Sequence, residues 1–202
     1  MTDHDETYAE THPMDDRKPI IAKWIYVLFV CGIASMILTA LNAIPVLSGA
    51  AGWISRIVFV AAAVALFKLA PVNDRYRKAA IFSVVYVVGG IAVTVLNMNF
   101  FTMVISICAI IANYQELNAH SELVAPRDAK LSRRWHSLFY WELAVGLVTG
   151  FLSSAAVVIA VLADVDPEMI TSVTVVVLSA INVVIGLFRI LYLKQTLGLY
   201  QE

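Results

Sequence analysis

Six long apolar runs, each bounded by short polar or charged connectors, dominate this 202-residue sequence and constrain its fold more than any motif does. About 20 apolar residues wound as a helix rise about 30 Å, the thickness of a bilayer's hydrocarbon core. In lipid, a single segment satisfies its backbone polar groups only as a helix. The runs cover residues 20–47, 53–70, 79–96, 98–115, 137–163 and 170–194. The expected fold is therefore an all-α integral membrane protein, a six-helix transmembrane domain over residues 20–198. With 60% hydrophobic and 14% charged residues, a soluble domain is excluded.

Helix breakers mark the connectors. Pro45, Ser48 and Gly49 end the first run, Pro71 ends the second, and Asn97 and Asn99 make a tight reversal between the third and fourth. A linker around Pro126 separates the fourth from the fifth, and an acidic turn, Asp164 to Glu168, precedes the sixth. Residues 1–19 are polar and acidic, with Asp3, Asp5, Glu6, Glu10, Asp15 and Asp16, unlike the basic start and apolar core of a signal peptide. They are expected to form a disordered acidic cytoplasmic tail.

Orientation follows from the basic residues. Thirteen of the fourteen fall in connectors that alternate onto one face, and only Arg56 falls on the other. The positive-inside rule then puts both termini in the cytoplasm. A bacterial cytoplasmic membrane is the expected location. Trp24, Tyr76, Trp135 and Trp141 are expected at the inner headgroup level. Arg127, Lys130, Arg133 and Arg134 are read as attracting anionic headgroups of the bilayer, about 1 kcal/mol apiece, and not nucleic acid. A homo-oligomer is left open. Cys31 and Cys108 lie in different apolar runs and are read as unpaired.

Lys23-Trp24, Arg75-Tyr76 and Arg134-Trp135 each set a cation before an aromatic at the start of an odd-numbered run. Three helical hairpins in tandem produce such a repeat. In layout alone the chain resembles the HdeD-like acid-resistance membrane proteins, which implies nothing about individual residues.

Polar or small residues recur at helical spacing in five runs. The series are Cys31, Ser35, Thr39, Asn42; Ala79, Ser83, Tyr86, Gly90, Thr94, Asn97; Thr102, Ser106, Ala109, Asn113, Glu116, His120; Glu142, Gly146, Gly150, Ser154; and Ser172, Ser179, Asn182, Gly186, Arg189. Such stripes either let helices approach closely or line a polar pathway. The candidate ligand or ion pathway residues are Asn113, Glu116, His120, Glu142, Asn182 and Arg189, at a pocket facing the cytoplasm. Glu142 and Arg189 fall at similar depth in neighbouring runs and are expected to pair. Glu116 and His120, four residues apart, share one face and are read as a hydrated, hydrogen-bonded pair; the alternative is a pH-responsive histidine beside a carboxylate.

No complete metal-ligand set emerges, since the six residues from His136 to Glu142 turn about 240° around a helix. No nucleophile elbow, zinc-protease, Walker or dinucleotide motif is present. The expectation is a non-enzymatic chain without metal or cofactor, a small transporter, channel or membrane-embedded binding component. The alternative is a non-transporting accessory or stress-related membrane protein whose stripes are packing seams.

Overall fold

The computed structural model describes residues 17–42, 44–96, 101–163 and 167–201, with side chains at 45, 149–163, 167–176, 178 and 179 excepted. Six helices account for nearly all of it: α1 Lys18–Asn42, α2 Pro45–Leu69, α3 Asp74–Leu96, α4 Thr102–Val124, α5 Ala129–Ala163 and α6 Pro167–Gln201. No strand occurs among the described residues. Four segments are long and apolar enough to cross a membrane, counted on those residues: Lys18–Asn42, Val46–Leu69, Asp74–Leu96 and Ala180–Gln201. Many of their large side chains are exposed, Val46 at 91% and Ile57 at 70%. The chain is thus an all-helical bundle with the apolar surface of a polytopic membrane protein. The acidic tail, the Asn97–Asn99 reversal and the acidic turn at Asp164 and Asp166 lie outside the described residues.

Helix limits depart from the apolar runs where polar residues start or cap a helix. Pro45 was expected to end the first helix; it opens α2 instead, because proline lacks only an amide that a first turn leaves unpaired. Asn73 Oδ1 accepts the Arg75 amide at 2.9 Å just ahead of α3. Asp128 Oδ1 accepts the amides of Lys130 at 2.9 Å and Leu131 at 2.8 Å. That cap starts α5 at Ala129, so the linker around Pro126 shrinks to residues 125–128 and the charged stretch 113–142 is a helical hairpin.

Each helix packs against its neighbours in sequence, and α6 also packs on α1, so the six form a closed ring. The α1–α6 seam is close-packed: a Cβ at Gly32 would stand 3.5 Å from Ile190 and one at Gly186 3.7 Å from Met36, both ordinary van der Waals contact.

The ring is not uniform along its axis. The core draws on the starts of α1, α3 and α5 and the ends of α2, α4 and α6: Ile21 and Ile25; Leu66 and Leu69; Tyr76 and Ala79; Leu117 and Val124; Leu131 and Trp135; Leu193 and Leu197. All of these belong to the end where α1 begins and α6 finishes, called here the terminal end. Tyr76 and Trp135 are fully buried in it. Expected at the inner headgroup level, these rings are turned into the bundle, because the helices extend past the apolar runs at this end. Trp141 is exposed and Trp24 is half-buried, its ring 5.5 Å from Lys23 Nζ.

Candidate functional site

The terminal core is held by a column of aromatic and polar contacts running across four helices. Tyr76 Oη on α3 lies 2.9 Å from His120 Nδ1 on α4. The imidazole stacks on Trp135 of α5, centroids 4.6 Å apart. Trp135 Nε1 donates to Thr196 Oγ1 on α6 at 3.1 Å, and Tyr200 Oη donates to the Leu123 carbonyl at 2.8 Å. Buried polar groups that find partners in this way fix one arrangement of the helices. Around the rim, Arg75 reaches Glu122 at 2.7 Å and Gln115 at 3.1 Å, tying α3 to α4.

With the Tyr76 hydroxyl donating to Nδ1, His120 carries its proton on Nε2. That atom is buried without a hydrogen bond and faces Glu116 Oε1 at 3.7 Å. At that distance the expected Glu116–His120 hydrogen bond is not formed. His120 lies past the apolar part of α4. Burial pushes its imidazole below the ordinary value, and the Glu116 carboxylate only partly offsets this.

One turn from His120, toward the opposite end of the ring, lies the charge cluster. Arg189 Nη2 on α6 meets Glu116 Oε1 on α4 at 2.5 Å, while Arg189 Nη1 stands 4.0 Å from Glu142 Oε1 on α5. The expected Glu142–Arg189 pair is thus secondary, and Glu116 is the closer counter-charge. Sequence spacing alone missed this because α4 and α6 meet only where both flank α5. Asn113 bridges the remainder: its amide donates to Glu142 Oε2, and its Oδ1 accepts from Arg189 Nη1 at 3.3 Å. Glu116, Glu142 and Arg189 are 12%, 16% and 28% exposed. Four of the six candidate residues, Asn113, Glu116, Glu142 and Arg189, are thereby brought together, with His120 adjoining. Asn182 stands apart, exposed and about 10 Å along α6 from Arg189.

The stripes divide at this cluster. On the terminal side they run into the sealed aromatic core. On the far side, the residues that share the cluster's helix faces are exposed: Ser106 and Thr102 before Asn113, Gly146 after Glu142, and Asn182 before Arg189. A Cβ built on Gly146 would meet nothing within 4 Å. The stripe hydroxyls bond within their own helices, Thr39 to the Ser35 carbonyl, Thr94 to Gly90 and Ser106 to Thr102, each at 2.8 or 2.9 Å. Gly150, Ser154, Ser172 and Ser179 fall among the side chains not described.

His136, weighed as a metal ligand, is exposed and bonds through Nδ1 to Asn118 Oδ1 at 3.0 Å. Among the described residues, no three His, Cys, Asp or Glu side chains are grouped to hold a metal ion. Cys31 and Cys108 are free thiols. No family model, no curated protein and no solved structure matches the chain.

Proposed function

We propose that this chain is a small, non-enzymatic membrane transporter or membrane-embedded binding component, and that the cluster of Asn113, Glu116, Glu142 and Arg189 is where a proton or a small cation engages it. The observation that carries this reading is the charge count: two carboxylates share one guanidinium. With both carboxylates ionised and the neighbouring imidazole neutral, the cluster is one positive charge short of balance. In a low-dielectric interior such an excess is costly, and a single proton or monovalent cation relieves it.

The packing supports access from the end opposite the termini. If the basic terminal end is cytoplasmic, as the positive-inside rule has it, the mouth faces outward and the cytoplasmic side is the closed one. That reverses the direction expected from the sequence. The test combines accessibility with flux. Ser106→Cys and Asn182→Cys, treated with a membrane-impermeant maleimide in sealed cells, are expected to label. In proteoliposomes carrying an internal pH dye, the wild type is expected to pass protons or a monovalent cation under an imposed gradient, with Glu142→Gln reducing the rate at least about tenfold.

The competing reading, an accessory membrane protein, draws on the hydroxyls that bond within their own helices and on the short Glu116–Arg189 contact, both sufficient as structure alone. Unlabelled cysteines together with no flux above empty liposomes would favour it.

A further inference from the structure

Away from the cluster, Arg56 is a guanidinium on a lipid-facing surface with no carboxylate paired to it among the described residues. It lies midway along α2, about 16 Å from the first residue of that helix. Its side chain reaches toward the far end, where Nη2 donates to Thr94 Oγ1 at 2.9 Å, two residues before α3 finishes. The guanidinium carbon sits 4.2 Å over the Trp53 ring. Nη1 is buried and has no hydrogen-bond partner. Beside it, between α2 and α3, is an open cavity of about 230 Å³ lined by Trp53, Arg56, Ile57, Val60, Val87 and Ile91. Ile57 and Val60 on its rim are 70% and 48% exposed.

A cation held in hydrocarbon without a counter-charge is expensive, and arginines in such positions pair with an anion. Guanidinium groups bind phosphate oxygens through N–H bonds, and Arg56 Nη1 has no hydrogen-bond partner while Nη2 is held by Thr94. The rest of the cavity is apolar and descends about two turns of α2, from Trp53 to Val60, and about one turn of α3, from Ile91 to Val87, away from the far end. A free phosphate would gain nothing from those walls. A molecule with a phosphate at one end and a hydrocarbon chain at the other fits both parts.

We propose that Arg56, with Trp53 and Thr94 beside it, binds the phosphate of an anionic phospholipid in the leaflet at the far end, with an acyl chain along Ile57, Val60, Val87 and Ile91. The site is separate from the charge cluster and does not depend on what that cluster does.

Native mass spectrometry of the full chain in a mild detergent tests this, with dioleoyl phosphatidylglycerol as the probe and inorganic phosphate as competitor. The wild type is expected to hold one phosphatidylglycerol more tightly than the rest and to keep it in the presence of excess inorganic phosphate. Arg56→Gln is expected to weaken that first lipid about tenfold, whereas Arg133→Gln, an exposed residue at the terminal end, leaves it unchanged. Val60→Trp fills the cavity from its exposed wall while keeping the arginine and is expected to weaken the same lipid, so the outcome does not rest on one variant folding. Equal first-lipid affinity in the wild type and both cavity variants would overturn the proposal. Displacement of the lipid by inorganic phosphate would overturn it too, making the site one for free phosphate.

Discussion

Removing the guanidinium of Arg189 tests the cluster most directly, since Arg189→Gln leaves Glu116 and Glu142 facing each other across Asn113 with no positive charge between them. Breaking a desolvated ion pair by deleting one partner costs about 3–5 kcal/mol, mostly because the other charge stays buried. Glu116 is only 12% exposed, but Arg189 itself is 28% exposed, so the lower part of that range applies. A loss of about 3 kcal/mol, at about 2–4 °C per kcal/mol for a chain of this size, lowers the midpoint by about 6–12 °C. Thermal unfolding in a mild detergent, followed by the loss of helical circular dichroism, reads it. The double variant Glu116→Gln with Arg189→Gln removes both charges of the 2.5 Å contact and is expected to recover more than half of the loss. Glu142→Gln alone, whose carboxylate is 4.0 Å from the arginine, is expected to cost less than about 1 kcal/mol. An Arg189→Gln midpoint within about 2 °C of wild type, or single-variant losses that simply add in the double variant, would refute the assignment of Glu116 as the principal counter-charge.

Three further outcomes are expected. The His120 imidazole is depressed by burial, so its share of stability is fully present above the unfolded-state value of about 6.5 and is lost as pH falls below it; the thermal midpoint should drop more between pH 7.5 and 5.5 in wild type than in His120→Gln, and parallel curves would remove the imidazole as the cause. Tyr76→Phe strips His120 Nδ1 of its 2.9 Å partner and is expected to cost about 1–3 kcal/mol in the same assay, a cost whose absence would mean the hydroxyl contact contributes nothing. Gly89→Ala puts a methyl 2.9 Å from Ile105 Cγ1, a methylene next to the branched Cβ and so restricted in how far it can swing aside, and should cost about 1–3 kcal/mol, whereas Gly90→Ala meets nothing within 4 Å and should shift the midpoint little; equal effects at the two positions would contradict the packing of α3 on α4.

The helices were legible in the sequence because hydrophobic length is a local property, and residues 20–47 or 79–96 announce it unaided. The α4–α5 turn was legible in principle. Asp128, placed directly before a long helical stretch, is an N-cap signal, but the charged run Lys130, Arg133 and Arg134 that follows it hid it behind the membrane pattern. Tyr76 and Trp135 were misjudged for a related reason, since a cation beside an aromatic marks a membrane boundary equally well whether the ring points to lipid headgroups or into the bundle. Among the site residues, the grouping of Asn113, Glu116 and His120 followed from helical spacing alone. The Glu116–Arg189 contact did not, because it depends on how α4, α5 and α6 are angled around one another. Closure of α6 on α1 joins residues such as Gly32 and Ile190, far apart in sequence, and no periodicity reports such a pairing.

That closure also sets an order of events during biosynthesis. Helices α1 to α5 are synthesised before α6, and during that interval the Gly32 face of α1 lacks its α6 partner and Glu116 and Glu142 lack Arg189. A nascent chain therefore carries two uncompensated carboxylates until Arg189 arrives, and a chain stalled before that point keeps them. The same cluster that holds the finished ring together therefore distinguishes the unfinished one by its charge.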